Sequence, residues 1–216
     1  RLVGSEMCIR DSPLTGRYVL GGKMDNSRNL WQQKLEQAKQ SDEQDQVAHY
    51  SYLLATYTDS YFNNLTEFFD KLPRDGDLML LVLKGHLLVE QQIRSFVNNH
   101  FPNQKALKGV FRETSTVISL GRAYCDGQNE EIMQLWDCFA KLNNIRNHMA
   151  HNIEHTGLEH KIEDFLTKSD RFLSFGPDSE TIFDRVYAAI NAIYQKALYL
   201  ATQQEKQYQS YIQSRT

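Results

Sequence analysis

The chain has 216 residues, room for one domain of ordinary size or at most two small ones. Its 24 Lys and Arg against 27 Asp and Glu leave a net charge of −3, which excludes a broad nucleic-acid-coating surface though not a small phosphate site. A hydrophobic content of 41% with 24% charged residues excludes wholesale disorder.

The longest apolar run, Leu78 to Leu83, is six residues, far short of the roughly 20 a membrane helix needs. Cys8, Cys125 and Cys138 are odd in number and form no Cys-x-x-Cys pair, so neither a disulfide framework nor a zinc ribbon is indicated. A soluble protein of a reducing cytoplasm is the expectation.

Residues 1–23 hold four of the eleven glycines and show no sustained period. The run Ser5-Glu6-Met7-Cys8-Ile9-Arg10-Asp11-Ser12 looks like translated sequencing adapter, and no apolar core of a secretory signal is present. This stretch is read as a non-native leader, with Met24 expected as the true start. Without its four basic and two acidic residues the remainder carries −5. Residues 24–44 read as an N-terminal extension and 45–216 as one helical domain.

Within that domain, spacing of three and four dominates. Residues 44–71 read as one helix, ended by Leu72-Pro73-Arg74-Asp75-Gly76. Residues 77–100 read as a second, apolar nearly all round at Leu78–Leu83 and Leu87–Val89, hence central and buried. Phe101-Pro102-Asn103 stops it, and one or two short helices are expected between 103 and 125. A long helix follows from about Asn129 to His155, with Ile132, Leu135, Phe139, Leu142, Ile145, Met149 and Ile153 in helical register. Leu158, Ile162, Phe165 and Leu166 mark a short amphipathic helix. The last carries Ile182, Val186, Ala189, Ile193 and Ala197, with Asp178 or Ser179 as its expected N-cap. It fades into a Gln-rich tail at 203–213, which is expected to fray. No alternating strand pattern and no internal repeat occurs. The predicted fold is all-α, a bundle of about six to seven helices.

There is no glycine-rich phosphate loop, no Gly-x-Ser-x-Gly and no His-Glu-x-x-His. The chemistry concentrates in Leu142-Asn143-Asn144-Ile145-Arg146-Asn147-His148-Met149-Ala150-His151. Asn147 and His151, four apart, share a helix face. Arg146 and His151, five apart, diverge by about 140°. One straight helix does not aim both at one phosphate, so a partner chain or a local distortion has to complete such a site.

Arg146-Asn147-x-x-x-His151 resembles the Arg-x(4–6)-His motif of the HEPN superfamily, all-α domains of prokaryotic toxins, phage-defence systems and RNA-processing enzymes. The phrase Leu142-Asn143-x-Ile145-Arg146-Asn147-x-x-Ala150-His151 is similar to that family's, as is the apolar helix upstream at Gly85-His86-Leu87-Leu88-Val89-Glu90. The segment Thr116-Val117-Ile118-Ser119-Leu120-Gly121-Arg122-Ala123 is similar to the linking helix of stand-alone members. The resemblance covers roughly residues 45–200. It implies an antiparallel bundle and a homodimer in which two motif helices line one cleft. It also implies a metal-independent endoribonuclease without a cofactor, acting on RNA, with an antitoxin or regulatory protein as a possible further partner.

Carried over by position, Arg146 and His151 form the core pair and Asn147 is the polar residue after the Arg. Glu90 and His148 are supporting positions, Glu90 as a group that orients Arg146. The chemistry is coherent. An imidazole that titrates near pH 6.5 accepts a proton from a ribose 2′-OH at neutral pH. A guanidinium fork stabilises charge growing on the phosphorane oxygens. Dimerisation also answers the divergence of Arg146 from His151, because each chain can supply one group.

Plainer readings stand beside these. Arg146 could be a structural salt bridge with Glu90, His151 a helix C-terminal His favoured by the macrodipole, and Asn147 a helix-face amide. His148, His151 and His155, with His160 following, have zinc-compatible spacing on geometry alone. Tyr50, Tyr52, Tyr57, Tyr61 and Phe62 read as core or dimer interface rather than a base-stacking platform. Ser41-Asp42-Glu43-Gln44-Asp45 reads as a solvated helix start. The competing function is a non-catalytic HEPN-like module, similar to the mannitol operon repressor, that binds RNA or protein. A structural scaffold is the third.

Overall fold

The computed structural model describes residues 27–213 apart from 102, 108, 126–129, 152–155 and 173–180. The leader at 1–23 lies outside the described residues, as does Met24. Eight α-helices and three short 3-10 turns make up the described chain, and no strand occurs among these residues. The all-α expectation holds. The chain divides into two compact units, one ending at Leu72 and the other beginning at Pro73.

The first unit holds α1 (Ser27–Gln40), α2 (Gln44–Thr56) and α3 (Asp59–Lys71). Helix α1 falls within the stretch read as an extension, and it buries Trp31 and Ala38. The single helix expected over 44–71 is two. The backbone turns extended at Tyr57, where ψ is 145°, and Thr58 restarts the helix by accepting the Tyr61 N–H on its side chain. Arg28 on α1 explains why the break is tolerated. Its guanidinium donates to the carbonyls of Leu54 (3.0 Å) and Tyr57 (3.1 Å) at the end of α2 and pairs with Asp59 at 3.0 Å. Carbonyls left without helical partners are thereby satisfied. Tyr50, Tyr61 and Phe62 are core, while Tyr52 is exposed. Tyr57 stacks on Tyr61 at 4.1 Å.

The second unit is built on α4 (Leu78–Asn99). Asp77 caps it by accepting the Met79 N–H at 2.7 Å, and Leu81, Val82, Leu88, Val89, Ile93, Phe96 and Val97 are buried along it. It packs along α8 (Ile182–Gln213). Gly85 makes the approach close, since a Cβ there would lie within 2.8 Å of two Ile190 carbons. Between α4 and α6 come 3-10 turns at Gln104–Leu107 and Val110–Arg112 and then α5 (Thr114–Tyr124). Helix α6 is Glu130–His151 and α7 is Leu158–Ser169. The start of α8 is capped by Thr181. Its hydroxyl accepts the Asp184 N–H at 3.2 Å while the Asp184 carboxylate accepts the Thr181 N–H at 3.2 Å. Asp178 and Ser179, the expected caps, lie outside the described residues. The tail expected to fray is helical to Gln213. No helix among the described residues is long and apolar enough to cross a membrane.

Candidate functional site

Helix α6 carries the site because one of its faces is fully committed to the core. Leu135, Trp136, Cys138, Phe139, Leu142, Ile145 and Met149 are buried, and α4, α5, α7 and α8 all pack against the helix. Four ion pairs bind it to its neighbours: Arg122 of α5 with Asp137, Lys141 with Asp164 of α7, Glu131 with Lys196 of α8, and Glu130 with Arg171 of the 3-10 turn at Asp170–Phe172. Most of these groups are half-exposed, so each pair contributes little energy. Together they leave the helix few ways to rotate.

That anchoring fixes what the last turns of the helix present, where the side of α6 that buries Trp136 and Phe139 further back reaches the surface. Viewed down the axis from Asn143, helical geometry turns Ala150 by about 20° and Arg146 by about 60° to one side. The same geometry turns Asn147 by about 40° and His151 by about 80° to the other. The roughly 140° that separates Arg146 from His151 is therefore occupied by two amides and one methyl. Asn143, Arg146 and Asn147 are half-buried, and Ala150 and His151 are exposed. The Arg146 guanidinium donates through Nη1 to Oδ1 of Asn147 at 2.8 Å. His148 lies off this arc and is half-buried.

Arg146 does not form the salt bridge with Glu90 that the plainer reading offered. Glu90 Oε1 accepts from Arg94 Nε (2.9 Å) and Nη2 (2.5 Å) and from the Thr114 hydroxyl (2.7 Å). Among the described residues no carboxylate lies within ion-pair distance of Arg146. Burial pushes the Glu90 carboxyl up, but the Thr114 and Arg94 hydrogen bonds outweigh it and hold the group below the ordinary carboxylate range.

Behind the arc sits His86, which the sequence supplied only as context in an apolar run. It is 0% exposed, stacked on Phe139 at 5.4 Å, with Nε2 3.1 Å from Oδ1 of Asn143 and Nδ1 3.6 Å from Glu90 Oε2. Burial pulls its pKa down, Glu90 and the Asn143 bond pull it up, and Arg146 and Arg94 pull it down; the result is below the ordinary imidazole value. His86, Asn143, Thr114 and Arg94 are thus the residues a reading of the motif alone passes over. A lone polar residue inside an apolar helix was the available signal for His86.

For the zinc reading, His155 lies outside the described residues, and His151 and His160 are exposed. Among the described residues no group of three His, Cys, Asp or Glu side chains is placed to hold a metal ion. Compared with protein-family models, with curated proteins and with solved structures, the chain finds no match in any of the three.

Proposed function

We propose that the chain is a HEPN-type, metal-independent endoribonuclease whose site is the Arg146–Asn147–His151 face of α6. The observation that carries the reading is the state of Arg146. Of the two Lys and Arg residues on α6, Lys141 is paired with Asp164, whereas Arg146 meets, among the described residues, a neutral amide and no carboxylate. A guanidinium left without a carboxylate, on a surface of amides, retains its charge for an external anion.

In the reaction, the ribose 2′-OH gives its proton to His151 and its oxygen bonds to the adjacent phosphorus. The bond from phosphorus to the 5′-oxygen breaks, and that oxygen leaves as a 5′-OH on taking a proton from water, while the His151 imidazolium returns its proton to the solvent. Arg146 stabilises the charge on the non-bridging oxygens. The products are a 2′,3′-cyclic phosphate and a 5′-OH. A second copy of the chain, pairing α6 with α6, supplies the convergence that one straight helix denies.

The test is an RNase assay on pooled tRNA and mRNA with wild type and His151→Ala. Activity in the wild type, unaffected by EDTA, absent on DNA and lost in the variant, is the expected result. His151→Ala retaining full activity, or DNA cut at a similar rate, overturns the mechanism. A second reading, a non-catalytic RNA- or protein-binding module, draws on the acidic balance of −3, which weakens sequence-independent RNA binding. Tight RNA binding without cleavage by the purified dimer selects it.

A further inference from the structure

From Arg146 to Asn147 the α6 arc holds three groups able to donate a hydrogen bond, with the His151 imidazole at its far end, and its amide oxygens are already engaged by the protein. Asn147 Oδ1 accepts from Arg146. Asn143 Oδ1 faces His86 Nε2 at 3.1 Å. We propose that Asn143 is a phosphodiester-contacting residue of this face, its amide NH2 turned outward by the buried imidazole of His86. The proposal rests on the RNA reading above and adds to it a contact and the residue that positions it.

His86 has no exposure to water, and a neutral imidazole has a single N–H to give. Two acceptors flank the ring, but only Asn143 is within hydrogen-bond distance. Nδ1 is 3.6 Å from Glu90 and has no hydrogen-bond partner among the described residues. Glu90 Oε2, the oxygen that faces Nδ1, stays beyond hydrogen-bond distance at 3.6 Å, whereas Asn143 Oδ1, which can only accept, is within it at 3.1 Å. The proton therefore sits on Nε2 and is donated to Asn143 Oδ1. An amide whose oxygen is held inward presents its NH2 on the other side, and Asn143 is half-buried at the surface of α6. With the Asn147 NH2 and the Arg146 guanidinium, the Arg146–Asn143–Asn147 part of the arc presents donors only, and Ala150, exposed beside them, leaves room for a ligand. A phosphodiester, which only accepts, is the complementary chemistry. His86 never touches that ligand. It acts as a positioning residue through Asn143.

Asn143→Asp keeps the inward acceptor for His86 and replaces the outward NH2 with a carboxylate oxygen and its charge. Asn144→Asp, exposed and one residue along, introduces the same charge without the contact. Binding of the full chain to an uncleavable 2′-O-methyl oligoribonucleotide is measured by fluorescence anisotropy. Asn143→Asp is expected to weaken it by roughly ten- to a hundredfold, the scale of one hydrogen bond to a charged group. Asn144→Asp should cost under about fivefold, the scale of an exposed charge pair. Equal losses from the two variants overturn the proposal and leave the RNA reading standing.

If Asn143→Asp does not fold, ¹⁵N NMR of the wild type decides. The Nε2–H tautomer of His86 is expected, and the Nδ1–H tautomer overturns the proposal. Should the wild type bind no RNA, titration with pyrophosphate is read at the Asn143 side-chain NH2. A shift there retains the contact while the RNA reading falls, and no shift removes both.

Discussion

Replacing Gly121 by alanine sets helix propensity against packing, and the two demand opposite signs. In an open helix, Gly→Ala stabilises by about 1 kcal/mol. Gly121, however, is buried in α5 where α5 meets α6, and a Cβ there would lie within 2.6 Å of Cη2, Cζ2 and Cζ3 of Trp136. Ordinary contact requires the helix and the indole to separate by roughly 1 Å in a close-packed interior. The ring has nowhere to go. Trp136 is fully buried, tilts against Phe96 at 5.9 Å, and donates its N–H to Cys125 Sγ at 3.3 Å. Overpacking costs up to about 3 kcal/mol, and losing the indole hydrogen bond about 1 kcal/mol more. After the propensity gain, a net loss of about 2–3 kcal/mol remains, a fall in Tm of about 4–12 °C for a unit of this size. Urea melts followed by circular dichroism and tryptophan fluorescence measure it. Combining Gly121→Ala with Trp136→Leu should recover most of the loss as coupling between touching residues. A Gly121→Ala protein as stable as wild type, or more so, refutes the packing argument.

Acid should destabilise the fold before its carboxylates titrate. His86 and His100 have folded pKa values below the ordinary 6.5, chiefly through burial, so the unfolded chain binds more protons below pH 6.5 and stability falls as pH drops through that value. His86 faces Glu90, Arg94, Asn143 and Arg146, and a urea midpoint that is flat from pH 7.5 to 5.5 counts against both assignments. Cys138, buried and bonded to the Lys168 carbonyl, has its thiol pushed up to about 12. Iodoacetamide at pH 8 should therefore leave Cys138 unmodified until denaturant is added, as peptide mass spectrometry would show. Light scattering should report a homodimer at micromolar concentration, and a stable monomer of about 25 kDa would remove the shared cleft from the proposed mechanism.

Periodicity is enough to predict α4, α6, α7 and α8, because long helices whose apolar residues recur every three or four have only one way to bury them. The motif residues on α6 are legible for the same reason: register alone sets Arg146, Asn147 and His151 at defined angles about one axis. Where helices end is less accessible. The break at Tyr57 depends on Arg28, 29 residues away in the chain, and no local pattern contains that distance. Trp31 is also core, although 24–44 reads as an extension; its companions at helical spacing, Leu35 and Ala38, are thinly set among Gln and Lys and make a weak stripe. The electrostatics of the site are decided only by tertiary structure. Glu90 pairs with Arg94 one turn along its own helix, and which groups come near Arg146 and His86 turns instead on how α6 packs against α4. That placement leaves Arg146 without a carboxylate among the described residues and sets His86 behind Asn143. Residue types and spacing name the groups available to a site; which partner each takes is settled by packing between helices far apart in the chain.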